Sequence, residues 1–225
     1  MPKKILVAFK TRIADESLIP SADELTPPGS MKKEETIAKW RAEQQELLKV
    51  HALGQPYTAT FEEVRLADPA TNRVSTFKYR DPEEGRPPAS IAIRAWLLKH
   101  YPDAWPNTTN TRGPLEAIFV GFNPRLFLKI LGTECSLPGN QPPAETGESH
   151  VLPLSMWYGN SDHRDIEQAV KPSDYKALTW NTVFAARGLT ELAEGWKGPH
   201  NDVEQDLLLA TELAAQLGFL SEEDS

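Results

Sequence analysis

Ile5-Leu6-Val7-Ala8-Phe9-Lys10-Thr11 is the stretch from which the fold can be read. A short unbroken apolar run with β-branched members, closed by a lysine, is predicted to be a buried strand. Such a strand needs cover from other elements, which points to a sheet with helices packed on it. The same run is too short for the apolar core of a signal peptide.

Further along, a polar stretch containing Pro20, Pro27, Pro28 and Gly29 reads as a loop. Met31 to Leu53 follows as an exposed helix with one packed side, marked by Ile37, Trp40, Leu47, Leu48 and Val50. Thr58 to Leu66 and Arg73 to Tyr79 are predicted strands, joined by the turn-like Ala67-Asp68-Pro69-Ala70-Thr71-Asn72. Pro87-Pro88 precedes a helix that ends near Tyr101-Pro102. Leu115 to Phe122 is a second buried strand, and Asn123-Pro124 opens a helix that Gly132 should stop. A flexible loop is expected at about 136–150, and Val151 to Tyr158 reads as a last strand. Ile166 to Val170 and Ala177 to Arg187 look helical, with Gly188 as a stop. Asp202 to Leu217 is the clearest helix, with Val203, Leu207, Ala210, Leu213, Ala214 and Leu217 at helical spacing. The reading is one α/β domain over 1–225, built on a mixed β-sheet flanked by helices.

Composition narrows the function classes. The 225 residues are 40% hydrophobic and 25% charged, which is globular rather than disordered. The net charge of −8 argues against a broadly basic nucleic-acid coat but leaves room for a local basic groove. A single cysteine, Cys135, excludes an internal disulfide and a Cys-rich zinc site. No apolar run approaches the ~20 residues that span a bilayer, so no membrane partner is expected. The expected compartment is the cytoplasm, or the host cytoplasm if the source is viral.

Three local patterns, taken with this element order, resemble the 3′–5′ exonucleases of the ribonuclease H-like superfamily named for their Asp-Glu-Asp-Asp carboxylates and a catalytic His. The resemblance runs from Lys3 to Phe219 and leaves the 31–53 helix as an insertion. The family's first strand ends in Asp-x-Glu-Thr; here Thr11 matches, but Ala8 stands for the Asp and Lys10 for the Glu. The second pattern is similar at Val120-Gly121-Phe122-Asn123-Pro124-Arg125-Leu126-Phe127, with Phe127 near the expected acid. In the third, His200 is present, Gln205 has the acid's spacing and Asp206 lies one residue beyond it.

The resemblance implies metal-assisted phosphodiester hydrolysis, in which two divalent ions about 3.5–4 Å apart activate water and stabilise the leaving oxygen. Hard cations such as Mg²⁺ or Mn²⁺ need anionic oxygen ligands. Ala8 and Lys10, two apart on a strand, face the same side, so a methyl group and an ammonium stand where two acids belong. The resemblance therefore implies a fold without the family's catalysis, metals or cofactors, keeping Ala8, Lys10, Phe127, His200 and Asp206 as remnant positions. It leaves binding of single-stranded DNA or other nucleic acid, as an accessory factor in replication, repair or transcription, with a polymerase or other protein as a further partner and a phage as a fitting source. Candidate contacts are Lys10, Arg12, Asn123, Arg125 and Lys129 for the backbone, and Phe9, Phe122, Trp157 and Tyr158 for stacking.

Other readings stay open. Lys10 either contacts phosphate or forms an ion pair with Asp202, Glu204 or Asp206. His200 is either functional or a loop and cap residue, and Phe122 and Phe127 are either core or stacking residues. The acid-rich start of the last helix reads as a solvated face, and Asp162, His163 and Asp165 as a surface loop. Three rivals remain: an active exonuclease using Asp15, Glu16, Asp202 and Asp206, a protein-interaction or inhibitor module on the same fold, and a different α/β fold on which the three motif matches are chance.

Overall fold

The computed structural model describes residues 3–80, 89–101, 117–135, 151–153, 179–218 and 220. The described strands are β1 (Lys3–Ile13), β2 (Ala59–Asp68), β3 (Arg73–Lys78), β4 (Ala117–Gly121) and β5 (Val151–Pro153). They form one sheet in the order β3-β2-β1-β4-β5. β1 runs antiparallel to β2, and β2 to β3, whereas β1–β4 and β4–β5 are parallel. The α/β sheet is therefore mixed, with the opening sequence stretch at its centre.

Both faces of β1 are buried, which is why its apolar run does not alternate with polar residues. Ile5, Val7 and Phe9 share one layer with Val64, Leu66, Phe119 and Phe127. Leu6 and Ala8 share the other with Val120, Phe122, Leu209, Ala210 and Leu213. β1 continues past Phe9 to Ile13 because its polar end still pairs with β2.

A bulge interrupts that pairing. Lys10 opposes Glu63, but Thr11 opposes Phe61, so Glu62 is the extra residue. The bulge shifts the inside–outside alternation of β2, letting Phe61 and Val64 enter the same core layer although they are three residues apart. β2 leads through a short turn at Pro69–Thr71 to β3, with Asn72 in the left-handed region at φ 49°.

Five α-helices accompany the sheet among the described residues: α1 (Glu34–Leu53), α2 (Ala89–His100), α3 (Pro124–Cys135), α4 (Trp180–Ala186) and α5 (Val203–Gln216). α1 lies in the long excursion between β1 and β2. Its last turn is stitched to the sheet where Thr11 Oγ1 donates to Leu53 O at 2.8 Å and Thr58 Oγ1 donates to Ala52 O at 2.6 Å. The first satisfies a carbonyl of the helix end, and the second adds to the bond that Ala52 O already accepts from the Gln55 N–H. α2 and α3 cover one face of the sheet through Ile93, Leu97, Phe127, Ile130 and Leu131. α4 and α5 cover the other through Val183, Phe184, Leu209, Ala210 and Leu213.

Gly132 does not stop α3, which runs on to Cys135. Glycine costs only about 1 kcal/mol inside a helix, less than the burial of Ile130 and Leu131 in the turn before it supplies. Gly188 does follow the end of α4, at φ 68°. Asp202 caps α5, accepting from the Glu204 and Gln205 backbone N–H groups. The expected loop at 136–150, the strand beyond Pro153 and the helix at 166–170 lie outside the described residues.

One glycine is required by close approach. A Cβ on Gly121 would lie 2.3 Å from the Val7 carbonyl oxygen, a backbone atom of the central strand. Gly121→Ala is expected to lower stability by about 1–3 kcal/mol, the usual cost of overpacking. Urea denaturation checks this; an unchanged midpoint would mean that β4 can move away from β1 freely.

Candidate functional site

The parallel pairing of β1 with β4 ends at Leu6 and Val120. Beyond it, β1 runs on through Ala8 and Lys10 to Ile13 beside β2, while the chain leaves β4 at Phe122 to Asn123. In open α/β sheets, ligands bind in the crevice outside such strand ends.

Ala8 is buried against Leu6, Phe122 and α5 and offers no ligand atom. Lys10, on the same side of β1, is half-exposed and donates from Nζ to Glu62 Oε1 at 2.9 Å. The expected ion pair with Asp202, Glu204 or Asp206 is not the one formed, because the bulge turns Glu62 toward Lys10. Glu204 pairs instead with Arg65 Nη2 at 3.2 Å, and Arg65 Nε reaches Glu63 at 3.1 Å. Arg65 lies directly across the ladder from Ala8 and so faces α5.

His200 joins the loop before α5 to the central strand. Its backbone sits in the left-handed region at φ 72°, unusual for a side chain with a Cβ. Nδ1 lies 3.0 Å from the Phe9 carbonyl oxygen. A carbonyl only accepts, so Nδ1 carries the hydrogen, and Nε2 of the neutral ring is an acceptor. The imidazole centroid is 4.3 Å from that of Phe9. Burial lowers the His200 pKa, and the bond to Phe9 opposes that shift.

Asp206 is only 1% exposed. Its Oδ1 accepts from the Trp196 indole Nε1–H at 2.7 Å, and its Oδ2 from the His200 backbone N–H at 2.6 Å. Burial pushes its pKa up to about 6, against the lowering effect of both hydrogen bonds. The solvated face expected at the start of α5 holds for Asp202 and Glu204 but not for Asp206. Gln205, at the spacing of the family's acid, donates to the Leu192 and Glu194 carbonyls and fastens the same loop.

These groups do not fit a pair of hard cations. Ala8 has no donor atom and Lys10 is itself a cation, so Asp206, held by the Trp196 and His200 N–H groups, has no second acid beside it at these positions. Among the described residues, no three His, Cys, Asp or Glu side chains converge on a metal position. Asp15 is held below the usual carboxylate range by hydrogen bonds from Ser17, in an exposed turn.

Phe122 and Phe127 are core residues. Phe127 packs against Phe9, Phe61 and Phe119. Phe122 lies 5.0 Å from Trp180 and 5.4 Å from Trp196, ring centre to ring centre. Phe9 and Phe122 therefore spend their faces on neighbours in the fold. The sequence reading missed Trp180 and Trp196, whose indoles are partly exposed over Phe122. A signal was present: Trp196-Lys197 is bracketed by Gly195 and Gly198, both at positive φ. Trp157, Tyr158, Asp162, His163 and Asp165 lie outside the described residues.

The candidate phosphate-binding side chains do not share one face. Lys10 and Arg12 belong to the side of β1 that α5 covers, and the Arg12 guanidinium sits 3.9 Å over the Tyr79 ring. Arg125 and Lys129 are exposed one turn apart on α3, whose packed side covers the opposite face of the sheet. Asn123 Oδ1 accepts from the Leu126 N–H and so caps α3. Among the described residues, no helix is long and apolar enough to cross a membrane. No protein-family model, curated protein or solved structure matches this chain.

Proposed function

We propose that the chain is a ribonuclease H-like, exonuclease-type scaffold that binds single-stranded nucleic acid without hydrolysing it, as an accessory factor in replication, repair or transcription. The mixed sheet flanked by helices supports that fold reading. The observation that carries the functional reading is the end of β1, where buried Ala8 and cationic Lys10 share one side. That arrangement disfavours divalent metal, and a phosphate at this position competes with Glu62 for the Lys10 ammonium. Trp180 and Trp196, packed on Phe122 and Phe184, keep part of their indole surface exposed, and a base stacked there is worth roughly 1–3 kcal/mol.

Fluorescence anisotropy with single- and double-stranded oligonucleotides at two salt concentrations tests this. Binding should prefer the single strand and weaken with salt, as counterion release requires. Lys10→Glu combined with Arg12→Glu should weaken it further and flatten the salt dependence, by about one counterion for each phosphate no longer neutralised. A labelled strand should stay intact with Mg²⁺ or Mn²⁺. Affinity indifferent to the double reversal, or metal-dependent shortening of the strand, removes the proposal.

A further inference from the structure

His200 carries one group that the fold does not use. Its Nδ1–H is spent on the Phe9 carbonyl at 3.0 Å, which leaves the Nε2 lone pair of the neutral ring. Nε2 makes no hydrogen bond among the described residues and is not one of the buried polar atoms left without a partner, so it meets solvent. The half-buried ring has little freedom to turn away. It lies against Phe9, with ring centres 4.3 Å and planes 35° apart, and its backbone N–H is fixed to the Asp206 carboxylate at 2.6 Å. Burial keeps the ring uncharged at neutral pH by lowering its pKa. A fixed lone pair repels a phosphate oxygen, which is itself only an acceptor. What it takes is a hydrogen-bond donor.

The neighbours say where in a nucleic-acid strand that donor belongs. The Phe9 carbonyl that orients the ring belongs to the residue before Lys10. Asp206 holds both the His200 N–H and the indole N–H of Trp196, which packs on Phe122. Through these shared partners the acceptor is flanked by the ammonium assigned to phosphate and by an indole assigned to a base. A sugar joins phosphate to base in every nucleotide. Within a strand the donor on that sugar is the 2′-hydroxyl, which RNA has and DNA lacks. Base N–H donors change with sequence and do not separate the two sugars. We propose that the crevice beside Phe9 and Lys10 selects RNA over DNA, with His200 Nε2 accepting a hydrogen bond from a ribose 2′-hydroxyl. This rests on the single-strand reading above and narrows it.

Fluorescence anisotropy with one sequence in ribo, deoxy and 2′-O-methyl form tests the selection. The 2′-O-methyl strand keeps an RNA-like sugar but has no hydroxyl to donate. The ribo strand should bind the native chain about three- to tenfold tighter than either of the others, the range that one hydrogen bond supplies. A second, unrelated sequence should give the same ratio. His200→Asn removes Nε2, yet its amide can donate to the Phe9 carbonyl and Asn tolerates a left-handed backbone. Circular dichroism should show an unchanged fold, and the three strands should bind this variant alike. The native-chain ratio decides the question even where the variant loses stability. Equal binding of ribo and deoxy strands overturns the proposal and leaves the single-strand reading standing. So does a preference that the 2′-O-methyl strand shares or that a folded His200→Asn variant keeps. A chain that binds none of the strands overturns both.

Discussion

Phe127→Asp, which puts a carboxylate at the position where the exonuclease resemblance expects one, should leave the chain unfolded. Phe127 is fully buried, and its ring centre lies 5.5 Å from Phe61, 5.8 Å from Phe119 and 6.1 Å from Phe9. Truncating a buried Phe costs about 3–5 kcal/mol through weaker packing and the cavity left behind. A carboxyl group placed there has no partner, and stripping its water adds several kcal/mol more. The sum is comparable with the whole stability of a typical domain, roughly 5–15 kcal/mol. Circular dichroism and urea denaturation measure the loss, with Phe127→Leu as the control that keeps the site apolar. A folded Phe127→Asp variant that also gains Mn²⁺ binding would revive the metal-dependent reading and sink the non-hydrolytic one.

Much of this layer was legible in the sequence. The run Ile5 to Phe9 has no polar interruption because both faces of β1 are covered, and an unbroken apolar run is the signature of that burial. α5 was equally legible, because one periodic stripe is buried and Asp202 supplies the cap. What escaped the reading depended on pairs distant along the chain. The adjacent Glu62-Glu63 breaks the alternation of β2 and was the visible trace of the bulge. Only the register with β1 reveals that the bulge aims Glu62 at Lys10. Asp206 looked like a surface acid because nothing in its own helix explains its burial. Its partners are an indole ten residues upstream and a backbone N–H in a left-handed turn. Helical periodicity carries no information about such a loop folding back on the helix.

Asp206 should make stability depend on pH between the acidic and neutral ranges. Its carboxyl titrates near 3.8 when exposed and at about 6 in the fold, because burial disfavours the charge more than its two hydrogen bonds favour it. The folded state thus holds this proton more tightly than the unfolded chain. The contribution is present in full below pH 3.8 and is lost as pH rises through about 6. A shift of this size corresponds to about 3 kcal/mol. His200 acts in the opposite sense, since its lowered pKa stabilises the fold above the ordinary His value and loses that contribution on acidification. The two effects are separated by comparing the native chain with Asp206→Asn in urea titrations from pH 4 to 8. The native chain should lose about 2 kcal/mol relative to the variant across that range, because the unfolded carboxyl is already half-ionised near pH 4. Asn keeps one acceptor but turns an NH₂ group toward the other donor, so the variant should be less stable near pH 4. Asp206→Ala orphans both buried N–H groups, at about 1–3 kcal/mol each, and should free Trp196, whose fluorescence reports the loss of its carboxylate partner. A native-minus-Asn difference that is flat with pH would mean that Asp206 keeps an ordinary carboxylate pKa in the fold.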